Sequence, residues 1–150
     1  MKKLYYTLSC LVILSGLFNC VDTKNESLHL NETVTLKEQV DAQAQFERGL
    51  MYYWGQGIPQ NYKEALKWFS KSAKQGNADA QYVLGGMYYL GDGVQQDYVL
   101  AYMWFDLAAA QGNVKALEII GVTAKKMSPT QIEKAQNLAR EQKADPDIVK

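Results

Sequence analysis

The sequence predicts an all-α protein, a short right-handed α-solenoid of helix-turn-helix units. Two segments nearly repeat each other: Tyr52 to Phe69 reads YYWGQGIPQNYKEALKWF, and Tyr88 to Phe105 reads YYLGDGVQQDYVLAYMWF. When residues 44–79 are aligned with 80–115, seventeen positions are identical. A period in the thirties, with apolar residues at helical spacing, is typical of stacked helix pairs.

The first helix of each unit is defined by its glycines. Each of these helices ends at a G-x-G pair: Gly55 and Gly57, then Gly91 and Gly93. Glycine permits the left-handed backbone with which helices commonly end. Gly49 and Gly85 lie inside the helices, where glycine costs about 1 kcal/mol relative to alanine. Because this cost recurs at the same place, we expect a close helix–helix approach there.

The second helix of each unit follows a good N-cap residue, Asn61 or Asp97. Its apolar face recurs after 36 residues and comprises Ala65, Trp68, Phe69, Ser72 and Ala73, then Ala101, Trp104, Phe105, Ala108 and Ala109. Gly76 and Gly112 are expected to end these helices. One helix pair cannot bury such a face alone, so the pairs must stack.

A degenerate third unit is expected over residues 116–143, followed by a tail over 144–150. Its last helix begins at Ser128, with Pro129 at the first helical position and Gln131 at the capping-box position. The predicted inner face is Ile132, Ala135, Leu138 and Ala139, and the outer face is Glu133, Lys134, Arg140 and Glu141. A polar outer face is what the end of a repeat array requires.

These residues carry a family resemblance. Ala80 to Asn113 reads A-Q-x-x-L-G-x-M-Y-x-x-G-x-G-V-x-x-D-x-x-x-A-x-x-W-F-x-x-A-A-x-Q-G-N. This pattern resembles the Sel-1-like repeat, a 36-residue relative of the tetratricopeptide repeat. The resemblance implies a repeat domain over 42–143 and a role as an adaptor or scaffold that binds a protein or peptide partner. The segment from Ser128 is similar to the closing helix of such arrays.

The first twenty residues, MKKLYYTLSCLVILSGLFNC, are typical of a bacterial-type export signal. Two lysines precede an apolar run that is too short to cross a bilayer as a mature helix. Cys20 stands where a lipoprotein cysteine would stand, with Leu17 three positions earlier, although Asn19 replaces the expected small residue. We therefore expect an exported protein, either tethered to the membrane through lipidated Cys20 or periplasmic or secreted. Residues 21–41 are a polar tether.

Composition and motifs exclude several classes of function. The net charge is zero, which argues against nucleic acid because phosphate binding needs clustered basic charge. The single histidine is His29, and no cysteine follows Cys20, so neither a metal site nor a disulfide framework is expected. The sequence contains no serine-nucleophile motif, and its carboxylates are scattered. We predict no catalytic residue and no cofactor.

The aromatic residues are the best indication of a binding surface. Tyr53, Trp54, Tyr89 and Leu90 follow the core tyrosines by one or two positions, which turns them away from the core stripe. They are predicted to form an apolar patch for a partner. The alternative is partial burial of these side chains against the next helix.

Three functions remain open at this point. The first is a non-catalytic exported adaptor or scaffold. The second is an enzyme of the β-lactamase-like, cysteine-rich branch of the resembled family, which the missing cysteine pairs disfavour. The third is an envelope lipoprotein with a structural role. Neither the partner nor the oligomeric state follows from the sequence.

Overall fold

A computed structural model of the protein describes residues 41–147, and their regular structure is entirely helical. Six helices follow one another: α1 (Ala42–Trp54), α2 (Tyr62–Lys74), α3 (Ala78–Leu90), α4 (Tyr98–Ala110), α5 (Val114–Ala124) and α6 (Pro129–Ala144). The predicted export signal, Cys20 and nearly all of the tether lie outside the described residues. In the described part, no helix is long and apolar enough to span a membrane.

The helices begin where their capping residues predict. The side chain of Asn61 accepts hydrogen bonds from the backbone N–H groups of Lys63 and Glu64, both at 3.1 Å. Asp97 caps α4 in the same way. Ser128 and Gln131 form the predicted capping box, since each side chain bonds the other residue's backbone N–H. These bonds satisfy donors that have no partner within the helix.

Left-handed glycines end the first helix of each pair. Gly55 has φ 69° and Gly91 has φ 85°, and their N–H groups donate to the carbonyls of Met51 and Met87. This conformation is strained for residues that carry a Cβ. The chain thereby turns from α1 into α2 and from α3 into α4, as the sequence predicts.

The helices pack as a solenoid. α1 packs on α2 and α3 on α4, while α2 also contacts α3, and α4 also contacts α5. The core forms where these layers meet and includes Ala65, Phe69, Leu84, Met87 and Trp104, each at most 1% exposed. Stacking thus buries apolar faces that one helix pair would leave in water.

The two helix-interior glycines lie against phenylalanine rings. A Cβ added at Gly49 would lie 2.5 Å from ring carbons of Phe69, and one added at Gly85 would lie 2.7 Å from those of Phe105. Real Cβ atoms essentially never make such short contacts. The expected close approach is therefore confirmed, and it explains why both repeats keep a residue that weakens a helix.

A buried glutamine in each first helix bonds an exposed glutamine at the end of its second helix. The amide nitrogen of Gln75 donates to the Gln45 side-chain oxygen at 2.8 Å, and Gln111 donates to Gln81 at 2.7 Å. Gln45 is 1% exposed and Gln81 5% exposed. Because a buried amide needs its hydrogen-bond partners, each pair of glutamines fixes the register of its two helices.

The last helix departs from the repeat pattern. α6 packs against α4, whereas the second helices of the preceding units pack on their own first helix. Its faces match the sequence pattern: Ala135 and Ala139 are buried, and the four charged residues of the predicted outer face are exposed. The third unit, predicted over residues 116–143, thus consists of a lone first helix, α5, which begins two residues earlier, and a capping helix that packs on α4.

Because of this capping helix, the two equivalent tryptophans differ in burial. Both were expected in the core, and Trp104 is 1% exposed while Trp68 is partly exposed. α4 packs against α3, α5 and α6, and α2 packs against α1 and α3 in the described region. The extra layer over α4 accounts for the deeper burial of Trp104. The ammonium of Lys71 instead lies 4.6 Å from the centre of the Trp68 ring.

Candidate functional site: an apolar groove along the first helices

The first helices of successive units line an open apolar groove of about 430 Å³. All four residues predicted to bind a partner line it: Tyr53, Trp54, Tyr89 and Leu90. The other lining residues are Leu50, Tyr82, Val83, Gly86, Met87, Phe105 and Ile119. Equivalent positions of α1 and α3 thus meet in one surface, as the stacking of repeats requires.

The four predicted residues differ in exposure. Trp54 and Leu90 are each 63% exposed and form the rim of the groove. Tyr53 is partly buried, with its ring 6.2 Å from Phe69 and 5.1 Å from Tyr62, measured between centroids. Tyr89 packs on Tyr98 at 5.4 Å. The two tyrosines therefore form the wall of the groove, while the tryptophan and the leucine carry most of its free apolar area.

A hydrogen bond between repeats holds Tyr53. Its hydroxyl donates to a carboxylate oxygen of Asp92 at 2.8 Å. Burial of the phenol, reinforced by this bond to a carboxylate, raises the pKa of Tyr53 from 10.0 to about 12. The neutral phenol is thus the form that the fold stabilises, and it fixes the loop after α3 against the end of α1.

A lysine that follows α5 in the third unit lies against the equivalent tyrosine of the second repeat, Tyr89. The Lys126 ammonium is 5.7 Å from the centre of the Tyr98 ring and 6.0 Å from that of Tyr89. A cation within about 6 Å of an aromatic face is attracted by the ring quadrupole. Lys126 therefore orders the tyrosine wall at this end of the groove.

The groove floor has a gap at Gly86, the notch, which the alignment of the two repeats did not predict. Leu50, Gly86 and Val122 are separated by 36 residues and occupy equivalent positions. A Cβ added at Gly86 would meet nothing within 4 Å, in contrast to Gly85 beside it. Leucine and valine at the flanking positions indicate that a side chain fits here, so the glycine leaves a gap. Writing the three units in register would have revealed it.

A second opening adjoins the groove toward the helix N-termini. It also measures about 430 Å³ and shares Tyr82 and Val83 with the groove. Asp79 and Lys115 give it a polar edge, where the Asn113 side chain donates to the Asp79 carboxylate at 3.1 Å. An apolar surface thus continues along α3 for more than two helical turns.

The charged groups of the described region do not converge on the groove as a reaction centre. Residues 41–147 contain no group of three or more His, Cys, Asp or Glu side chains placed to hold a metal ion. Asp106 has a pKa raised by burial, against the opposing effect of Arg140. It lies on α4, which contributes only Phe105 to the lining of the groove. The groove itself is lined mainly by apolar and aromatic side chains.

Sequence comparison identifies the repeats directly. The profile of the Sel1 repeat matches residues 42–77 and 78–113. These units begin two residues before the 44–79 and 80–115 segments taken from internal identity, and they coincide with the starts of α1 and α3. No curated protein has a sequence that matches this one.

Solved structures share the fold. A protective antigen from uropathogenic Escherichia coli strains, which displays an SLR (Sel-1-like repeat) fold, is 36% identical over 67% of this chain, with a TM-score of 0.66. A Sel1 repeat protein from Oxalobacter formigenes is 41% identical over 57%, with a TM-score of 0.55. The chain spans 22% and 35% of the lengths of these two proteins. Sel1 repeats typically mediate protein–protein interaction, and residues 42–113 of this chain are two repeats of that family, stacked as an α-solenoid.

Proposed function

We propose that this protein is an exported, non-catalytic adaptor whose groove binds a helix or peptide of a partner protein. The observation that carries the proposal is the exposure of Trp54 and Leu90 beside the Gly86 notch. Contiguous apolar patches left in water on a soluble protein commonly mark interaction sites. A tryptophan at the rim supplies much contact area at a small cost in conformational entropy.

The notch gives the groove a place for one large apolar side chain of the partner. Tyr82, Val83 and Leu90 lie near it on the same helix, and Leu50 and Ile119 line the groove from the flanking helices. Burying an aliphatic or aromatic side chain contributes about 1.5–3 kcal/mol. A contact of this size is enough to make the notch a centre of binding energy.

The test fills the notch without disturbing the fold. In native cells, a photoreactive amino acid at Leu90 should crosslink the partner, and Gly86→Leu should reduce that crosslink about tenfold or more. Trp54→Ala should reduce it similarly. Because Gly86 has open space above it, Gly86→Leu should melt no lower than the wild type, and Trp54→Ala should melt close to it because Trp54 is largely exposed. Undiminished crosslinking in both folded variants would show that the groove is not the binding surface.

Export belongs to the same proposal and rests on the N-terminal sequence. We expect the mature protein in its native cell to lack roughly the first twenty residues. N-terminal analysis of material from that cell would test this. Detection of Met1 in a soluble cytoplasmic pool would remove export from the proposed function and leave the groove unaffected.

A further inference from the structure

The first helix of each unit presents one stripe of residues to its second helix. In α1 this stripe is Ala42, Gln45 and Gly49, which contact Ser72 and Phe69 of α2 and its C-cap residue, Gln75. The stripe recurs in α3 at Ala78, Gln81 and Gly85, where Gln111 and Phe105 are the partners. By the same period, it recurs in α5 at Val114, Leu117 and Gly121.

Within residues 41–147, no second helix covers this stripe of α5, Val114–Leu117–Gly121. Val114 is 65% exposed and Leu117 56% exposed, whereas the equivalent Gln45 and Gln81 are at most 5% exposed. A Cβ added at Gly121 would meet nothing within 4 Å. The reason lies in α6, which packs on α4 and leaves vacant the place that α2 and α4 take in their own units.

The first two units show which side chains cover such a stripe. In both, a phenylalanine ring lies against the interior glycine, and six residues later a glutamine bonds the glutamine of the stripe. In α5 the glycine is kept but leucine replaces that glutamine. A helix on α5 therefore needs a ring over Gly121 and an aliphatic side chain, instead of an amide, opposite Leu117.

The stripe of α5 is followed by a charged residue, where the first two units have a tyrosine. Tyr53 and Tyr89 end it in the first two units, and each packs on the first residue of its second helix, Tyr62 or Tyr98. The equivalent residue after α5 is Lys125, which is exposed. A complementary helix would carry a carboxylate there, seven residues before its phenylalanine.

We propose that the stripe of α5 is a docking site for an amphipathic helix of another protein, with an acidic residue, then phenylalanine seven residues later, then an aliphatic residue six residues after that. Such a helix completes a third Sel1-type pair between two molecules. Val114 borders the second opening beside the groove, but Leu117 and Gly121 line neither opening, and the groove takes only Ile119 from α5. The α5 site therefore does not depend on the proposed function.

The experiment uses this chain's own second helix as the probe. A fluorescent peptide of residues 61–76 carrying Tyr62→Glu and Gln75→Leu is titrated with the full chain, and its anisotropy is measured. Saturable binding is expected, about tenfold tighter than that of the unmodified peptide. The same peptide with Phe69→Ala in addition should lose at least tenfold, because it lacks the ring that faces Gly121.

Two pairs of protein variants locate the binding. Gly121→Leu should abolish it by filling the space for the ring, while Gly86→Leu, the same substitution on the groove side of α3, should leave it unchanged. Lys125→Glu should weaken binding about tenfold, and Leu117→Gln should remove the preference for the Gln75→Leu peptide. Circular dichroism confirms that each variant is folded.

Four results would overturn the proposal. The first is no saturable binding of the modified peptide. The second is binding that Gly121→Leu and Lys125→Glu both leave intact. The third is a wild-type dimer in sedimentation that Gly121→Leu converts to monomer, since the stripe would then be covered by a second copy of the chain. Loss of binding only in Gly86→Leu would assign the peptide to the groove and refute the α5 site.

Discussion

Replacing Gly85 by alanine tests the closest contact between helices. The new Cβ would lie 2.7 Å from two carbons of the Phe105 ring and 3.2 Å from the carbonyl oxygen of Ala101. The ring is 1% exposed and belongs to the core, so it has little room to move. The substitution must therefore separate α3 from α4 or force the ring from its preferred rotamer.

Two opposing effects set the magnitude. Alanine in place of glycine inside a helix is worth about 1 kcal/mol in helix propensity. Inserting a methyl group into a packed interior costs typically 1–3 kcal/mol, and contacts below 3 Å place this site at the upper end. We expect a net loss of about 1–2 kcal/mol, or roughly 4–10 °C in melting temperature for a domain of this size.

Thermal and urea unfolding followed by circular dichroism measure this loss, and two other glycines provide matched controls. Gly86→Ala in the same helix and Gly121→Ala in α5 place the methyl group in open space. Both should gain a few tenths to 1 kcal/mol. A Gly85→Ala protein as stable as these controls would refute the close packing of α3 on α4. Destabilisation by Gly121→Ala would show that α5 is already covered.

Three further predictions concern single residues. Trp104→Ala should lower the free energy of unfolding by about 3–5 kcal/mol. Trp68→Ala should cost less than half of that, because its ring is partly exposed. Equal losses of the two variants in urea titrations would contradict the different burial. Tyr53 should ionise with a pKa of about 12 in an absorbance titration, and its raised pKa stabilises the fold fully below pH 10, with the contribution lost as the pH rises from 10 to about 12. Tyr53→Phe should abolish that part of the pH dependence, and an unchanged profile would argue against the Asp92 bond. An alkyne fatty acid should label the wild type and not Cys20→Ala, and equal labelling of both would exclude the anchor.

Local signals in the sequence were enough to predict the helices and their stacking. The N-cap at Asn61, the G-x-G pair at Gly55 and the capping box at Ser128 each fix a helix end through bonds between near neighbours. The glycine at position 49 predicted a close contact, because an unfavourable residue repeated at one place needs a reason. Such features depend on a few adjacent residues or on one recurrent interface, and both can be read from a periodic sequence.

Burial at equivalent positions could not be predicted in the same way. Trp68 and Trp104 occupy equivalent positions of the repeat, and they differ in burial because α6 packs on α4 whereas, within residues 41–147, α2 has no such additional neighbour. The exposure of Leu117 has the same origin. Sequence register tells which face of a helix a residue occupies, but the neighbour that covers the face depends on where a later helix packs.

The candidate site was predicted in part. Trp54 and Leu90 do lie at the rim of a groove, while Tyr53 and Tyr89 also make wall contacts that the sequence alone left open. The Gly86 notch was missed because it is an absence of side chain within a helix, and it becomes visible only when Leu50 and Val122 are written in register with it. The binding role of these residues remains a prediction.

The three-sided packing of α4 has a consequence for how the molecule opens. A helix covered by α3, α5 and α6 loses its contacts only when several neighbours leave, whereas α1 and α5 can detach singly from the ends. Amide protons of Met103 to Phe105 should therefore exchange with solvent more slowly than those of any other described segment, and protection should decline outward from there. The array would then unravel from its ends, with α4 as the last element to lose structure.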